Sequence, residues 1–141
     1  MQILIVDDDD DMRKVTRQVL KGLGHQIHEA DSGVEALKLA RTLRPDLVIL
    51  DVMMPGVDGY EICYLIKTAP ELHHTRVILL TVRDKKADIS FGHGAFADAY
   101  LVKPFDSDKL LAAITKLDRG ESGPFPAVGS PAKTPNKKNR P

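Results

Sequence analysis

Cysteine is nearly absent from this 141-residue chain: Cys63 stands alone, so no intrachain disulfide can form. Lying in an apolar stretch of helical spacing, that thiol is expected to be packed rather than reactive. Long apolar runs are missing as well. None reaches the roughly 20 residues that a membrane-spanning helix needs, and charge starts at Asp7, too early for a secretory leader. The expected location is the cytoplasm. No glycine-rich turn follows the first apolar run, which argues against a nucleotide-binding loop. The five histidines (His25, His28, His73, His74, His93) form no metal-ligand constellation, and no internal repeat is visible. Net charge is missing overall but not locally. From Asp118 onward there are five basic and two acidic side chains, net +3, which leaves residues 1–117 at net −3.

What is present suffices for one domain with a core: 43% apolar and 28% charged residues are ordinary for a globular chain of this length. Short β-branched runs alternate with amphipathic stretches. Strands are expected at Gln2–Val6, Gln26–Glu29, Leu47–Leu50, Val77–Leu80 and Ala99–Val102. Five helices lie between and after them. The first should bury Met12, Val15, Val19 and Leu23, and the second Ala36, Leu37, Ala40 and Leu43. A third runs from about Tyr60 to Lys67 and a fourth over Asp84–Ala95. The fifth starts near Asp106 or Ser107 and buries Leu110, Ile114 and Leu117.

Such alternation gives an α/β fold, a parallel sheet covered by helices on both faces. Pattern and size suit a flavodoxin-like, doubly wound five-stranded sheet of order 2-1-3-4-5; the alternation alone is also compatible with a Rossmann-like order. The domain is expected to occupy residues 1–117. Residues 118–141 hold five of the nine prolines and no apolar periodicity, which reads as a disordered tail or linker. A basic contact with nucleic acid or an acidic partner is the lesser alternative for it.

In open parallel sheets, functional groups gather beyond the carboxyl ends of the strands. Four ends here carry capable residues: Asp7-Asp8, Asp51, Thr81 and Lys103-Pro104. Two carboxylates ~5 Å apart repel by about 3 kcal/mol at an effective dielectric near 20. Bringing Asp7, Asp8 and Asp51 together therefore raises their pKa values or recruits a cation. Few, hard, water-exposed oxygen ligands suit Mg²⁺. Asp9, Asp10 and Asp11 differ, because they open the first helix, where exposed N–H groups favour carboxylates.

The segments "ILIVDD", "PDLVILDVMMPGVDGYEI", "VILLT" and "AYLVKPF", in this order, resemble the response-regulator receiver domain of two-component signalling, as in chemotaxis regulators. The resemblance spans Gln2 to Leu117. It implies that Asp51 is the phosphoacceptor, loaded by a sensor histidine kinase or phosphotransfer protein. It makes Asp8 a direct Mg²⁺ ligand, Asp7 a ligand through water and the Met53 carbonyl a third protein ligand. Thr81 and Lys103 would hold the phosphoryl group, Tyr100 would be the switch aromatic, and Pro104 would follow a cis peptide that aims Lys103. Phosphorylation would then alter the surface made by the helix over 84–95, the strand at 99–102 and the helix from 106. Partner binding, or a homodimer, would use that surface, with no direct nucleic-acid binding by the receiver itself. Such a protein is a switch, not a turnover enzyme.

Three departures matter. Gly92 and Gly94 sit in the last turns of the fourth helix, and Phe96 stands where receivers usually have a terminating glycine. A short or mobile helix is expected there. Met53 and Arg83 lie two residues beyond Asp51 and Thr81, and the resemblance implies that these positions tune acyl-phosphate hydrolysis. Met53 has no side-chain group to orient water, so self-dephosphorylation should be slow. Met53 also opposes the competing enzyme reading, since phosphatases of the haloacid-dehalogenase type expect an aspartate two residues after the nucleophile.

Overall fold

The computed structural model describes residues 1–52, 54, 59–81, 97–102 and 106–120. Its elements alternate as expected: β1 (Gln2–Val6), α1 (Asp10–Lys21), β2 (Gln26–Ala30), α2 (Gly33–Leu43), β3 (Leu47–Asp51), α3 (Gly59–Thr68), β4 (Arg76–Thr81), β5 (Ala99–Val102) and α4 (Ser107–Asp118). A single 3₁₀ turn, Pro70–Leu72, links α3 to β4. The helix expected over 84–95 and the tail beyond Gly120 lie outside the described residues, so four helices are seen among them. All strand pairs are parallel, in the order β2-β1-β3-β4-β5. The flavodoxin-like order holds, and the Rossmann-like one does not.

Parallel pairing alternates side chains between two buried faces. Leu4, Val6, Val48, Leu50, Val77 and Leu79 pack beneath α2 and α3, against Ala36, Ala40, Ile62, Cys63 and Ile66. Ile3, Ile5, Leu47, Ile49, Ile78 and Leu80 face the other way, onto Leu20 of α1 and Leu110, Ile114 and Leu117 of α4. Strand β3 is buried at all five positions, as its unbroken apolar run "LVIL" implies. Three of the described helices begin on a capping side chain. Asp9 accepts from the N–H groups of Asp11 and Met12, Ser32 from Glu35, and Asp106 from Lys109.

Strand limits differ from expectation by a residue. Asp51 and Thr81 are the last residues of β3 and β4, and β2 runs on to Ala30. The first helix differs more. Thr16 and Leu20 are buried, whereas Val15 is 54% and Leu23 51% exposed. An apolar count misses this because the sheet-facing side of α1 also carries Arg13, which is half-buried by its partners on β2 and the β1–α1 turn. Arg13, Thr16 and Leu20 thus share the inward side of α1, and Val15 lies on its flank.

Candidate functional site: an acidic cluster at the strand ends

Strands β1 and β3 are neighbours, and Val6 pairs with Leu50, so the residues that follow this pair emerge side by side. Asp7 comes directly after β1 and Asp51 closes β3. Both are buried, at 3% and 5% exposure, while Asp8 is exposed. Carboxylate oxygens of Asp7, Asp8 and Asp51 lie within 4.8 Å of one another. At that spacing each ionised pair repels by about 3 kcal/mol at an effective dielectric near 20. A donor set of carboxylate oxygens, one of them open to water, fits a hard divalent cation that keeps part of its hydration. These three form the one His, Cys, Asp and Glu group with metal-ligand proximity among the described residues. His25, His28, His73 and His74 stand outside it, and His93 lies outside the described residues.

Asp7 is tightly fixed. Its N–H donates to the Ala30 carbonyl at 3.1 Å, and its Oδ1 accepts the Asp9 N–H at 2.9 Å. Its carbonyl accepts from Arg13 Nη1 at 2.6 Å. Arg13 donates from Nε to Glu29 Oε1 at 3.2 Å and pairs with Asp10, while Arg17 binds the other Glu29 oxygen. Burial disfavours the Arg13 charge, but its bonds to Asp10 and Glu29 outweigh that and raise its pKa. Asp9, Asp10 and Asp11 serve the opening of α1, as the sequence implied.

On the far side of β3, Asp51 pairs with Leu80, and Thr81 is the next residue along β4. The Thr81 side chain is buried and stands beside Val102, the residue before Lys103. Tyr100, paired with Leu79, is buried in the core beneath α2 and α3. Asp7, Asp8, Asp51 and Thr81 therefore meet at one edge, and Tyr100 lies two residues deeper on β5. Met53, Lys103 and Pro104 lie outside the described residues.

Two contributors escaped the sequence reading. Gly59, the first residue of α3, runs so close to β3 that an added Cβ would stand 2.4 Å from Val52 Cα and 3.1 Å from the Asp51 carbonyl oxygen. The glycine two residues before the "EI" of α3 was its only sequence trace. Arg13 was the other, hidden among polar residues of a helix read for its apolar ones.

The fold and the acidic edge define a class. Residues 3–115 match the response regulator receiver domain, and the chain belongs to that family. It is 42% identical to the transcriptional regulatory protein AfsQ1 of Streptomyces coelicolor over 120 residues, which is 84% of this chain and 52% of that one. With the response regulator MprA of Mycobacterium sp. KMS it shares 41% over 134 residues, 95% of this chain and 57% of the relative. Among solved structures, the chemotaxis response regulator CheY4 of Vibrio cholerae superposes with a TM-score of 0.77 at 29% identity, covering 82% of this chain and 97% of that one. The chain thus spans about half the length of the curated relatives it matches. No helix among the described residues is long and apolar enough to cross a membrane.

Proposed function

We propose that the protein is a phosphorylation-controlled switch in which Asp51 accepts a phosphoryl group from a phosphohistidine on a sensor histidine kinase or phosphotransfer protein. Asp8, Asp51 and the Met53 carbonyl would hold Mg²⁺, with Asp7 acting through water. The bound cation would supply charge stabilisation for the phosphoryl oxygens in the transition state. An Asp51 carboxylate oxygen attacks phosphorus, the P–N bond breaks, and the departing imidazole keeps the electron pair and takes a proton. The product is an acyl phosphate. Thr81 then donates its hydroxyl hydrogen to a phosphoryl oxygen, and Lys103 offsets the new negative charge.

Signalling follows from the position of Thr81 beside β5. Movement of Thr81 toward the phosphoryl group frees room for Tyr100 to reorient, and the surface of β5, α4 and the segment before β5 changes. Partner binding, or pairing of two copies, would respond there. The output of the longer regulators that this chain resembles, transcriptional in the case of AfsQ1, is the kind of response we infer it controls.

The observation carrying this reading is the approach of three carboxylates within 4.8 Å at the strand ends, with Thr81 on the adjacent strand. Incubation with acetyl phosphate and Mg²⁺, followed by intact-mass analysis, should add one acid-labile phosphoryl group per chain. Asp51→Asn should add none. Continuous release of phosphate from phosphomonoesters would instead indicate a turnover enzyme.

A further inference from the structure

The acidic edge works only if Asp7 and Asp8, on an irregular turn, keep their place opposite Asp51 on a rigid strand. Besides the Asp7 N–H bond to Ala30, the turn is cross-linked by a side chain of α1. The guanidinium of Arg13 bonds three segments at once: the Asp7 carbonyl in the turn at 2.6 Å, Glu29 on β2 at 3.2 Å, and Asp10 in the first turn of α1. Its side chain is only 14% exposed. Glu29 also pairs with Arg17 through its other oxygen.

We infer that Arg13 is a positioning residue of the metal site, setting the β1–α1 turn so that the Asp7 and Asp8 carboxylates converge on Asp51. This rests on the reading of that cluster as a Mg²⁺ site. Partners that orient metal ligands without touching the metal commonly change affinity by 10–100-fold when removed. The sign of the effect separates positioning from charge. As a nearby cation, Arg13 repels Mg²⁺, so charge alone would make its removal tighten binding. Positioning makes its removal weaken binding. The two readings oppose each other.

Arg17 provides the control, because it shares Glu29 and the same helix but bonds Glu29 rather than the turn. Isothermal titration calorimetry with MgCl₂ on wild type, Arg13→Ala, Arg13→Lys and Arg17→Ala tests the assignment. Arg13→Ala should bind Mg²⁺ roughly tenfold or more weakly. Lysine, which can still donate to the Asp7 carbonyl, should recover much of that loss, and Arg17→Ala should bind as wild type does. In the metal-free proteins, amide resonances of Asp7, Asp8 and Asp9 should move in Arg13→Ala and stay put in Arg17→Ala. Unchanged or tighter Mg²⁺ binding by folded Arg13→Ala overturns the inference. Equal weakening by Arg17→Ala does so too, since it points to general loosening. If Arg13→Ala fails to fold, Arg13→Gln decides, because it removes the charge and the three-way cross-link with less loss of side chain: weaker Mg²⁺ binding upholds the positioning role, and unchanged or tighter binding refutes it. Absence of Mg²⁺ uptake by wild type would strike the underlying metal-site reading instead, and the inference with it.

Discussion

Gly59→Ala is a small change with a large expected consequence. A Cβ at this position would stand 2.4 Å from Val52 Cα, 3.0 Å from Val52 Cβ and 3.1 Å from the Asp51 carbonyl oxygen. Carbon atoms pack best at about 3.5–4.0 Å, so the two backbones must part by about 1 Å. Neither has an easy retreat. Strand β3 is buried along its whole length, Val52 is buried, and α3 is held by Ile62, Cys63 and Ile66 in the core. Overpacking of this kind costs about 1–3 kcal/mol. Alanine's better helix propensity returns up to ~1 kcal/mol, and less at the first position of a helix. The clash wins.

Stability is the lesser part of the loss, because Val52 adjoins Asp51. A misplacement near 1 Å at a reacting group can slow a reaction by about 100-fold. Phosphorylation of Gly59→Ala by acetyl phosphate, followed by intact mass, should therefore be slower by far more than its urea midpoint suggests. Conditions must keep the variant fully folded. Wild-type phosphorylation rate together with wild-type stability would refute the reasoning, since the close approach would then be absorbed without moving Asp51.

Three further outcomes are expected. Burial first, then the nearby Asp98 carboxylate, push the Cys63 thiol up to about 12; labelling by a thiol reagent at neutral pH should thus occur only through opening, and fast labelling of folded protein would contradict the packing. His25 is held below the ordinary imidazole range by burial and by the Met1 amine, whose nitrogen is 3.1 Å from Nδ1, against an opposing pull from Asp118. The unfolded chain then binds the extra proton, so this contribution to stability is intact above pH ~6.5 and lost as pH falls toward the lowered native value. Urea midpoints should drop less on acidification in His25→Gln than in wild type, and equal drops would dismiss the assignment. Finally, Met53→Asn should shorten the lifetime of the phosphorylated form by orienting water, whereas an unchanged half-life would remove Met53 from control of hydrolysis.

Much of the fold was legible because its signals are local. Buried parallel strands write themselves as β-branched runs, and all five were placed within a residue at each end. Asp7, Asp8, Asp51 and Thr81 were legible because a parallel sheet forces residues just past its strands to one edge. The face of α1 was not. Its inward side carries Thr16 and Arg13 beside Leu20, residues that hydropathy counts on the wrong side. Gly59 was illegible for a related reason. A missing side chain signals nothing until the opposing backbone is known.

The run of five aspartates shows how one composition serves several environments. Asp9 caps α1, Asp10 pairs with Arg13, and Asp11 sits in the first turn, where a helix terminus favours each carboxylate by about 0.3–1 kcal/mol. That is enough for exposed side chains, whose mutual repulsion water and salt screen. It is not enough for Asp7, Asp8 and Asp51. Their oxygens approach within 4.8 Å, two of the three residues are buried, and each ionised pair costs about 3 kcal/mol. A helix end cannot offset three such terms. The magnitude gap divides the run in two: the last three carboxylates serve the opening of α1, whereas the first two converge with Asp51 into a donor set that fits the divalent cation we propose for it.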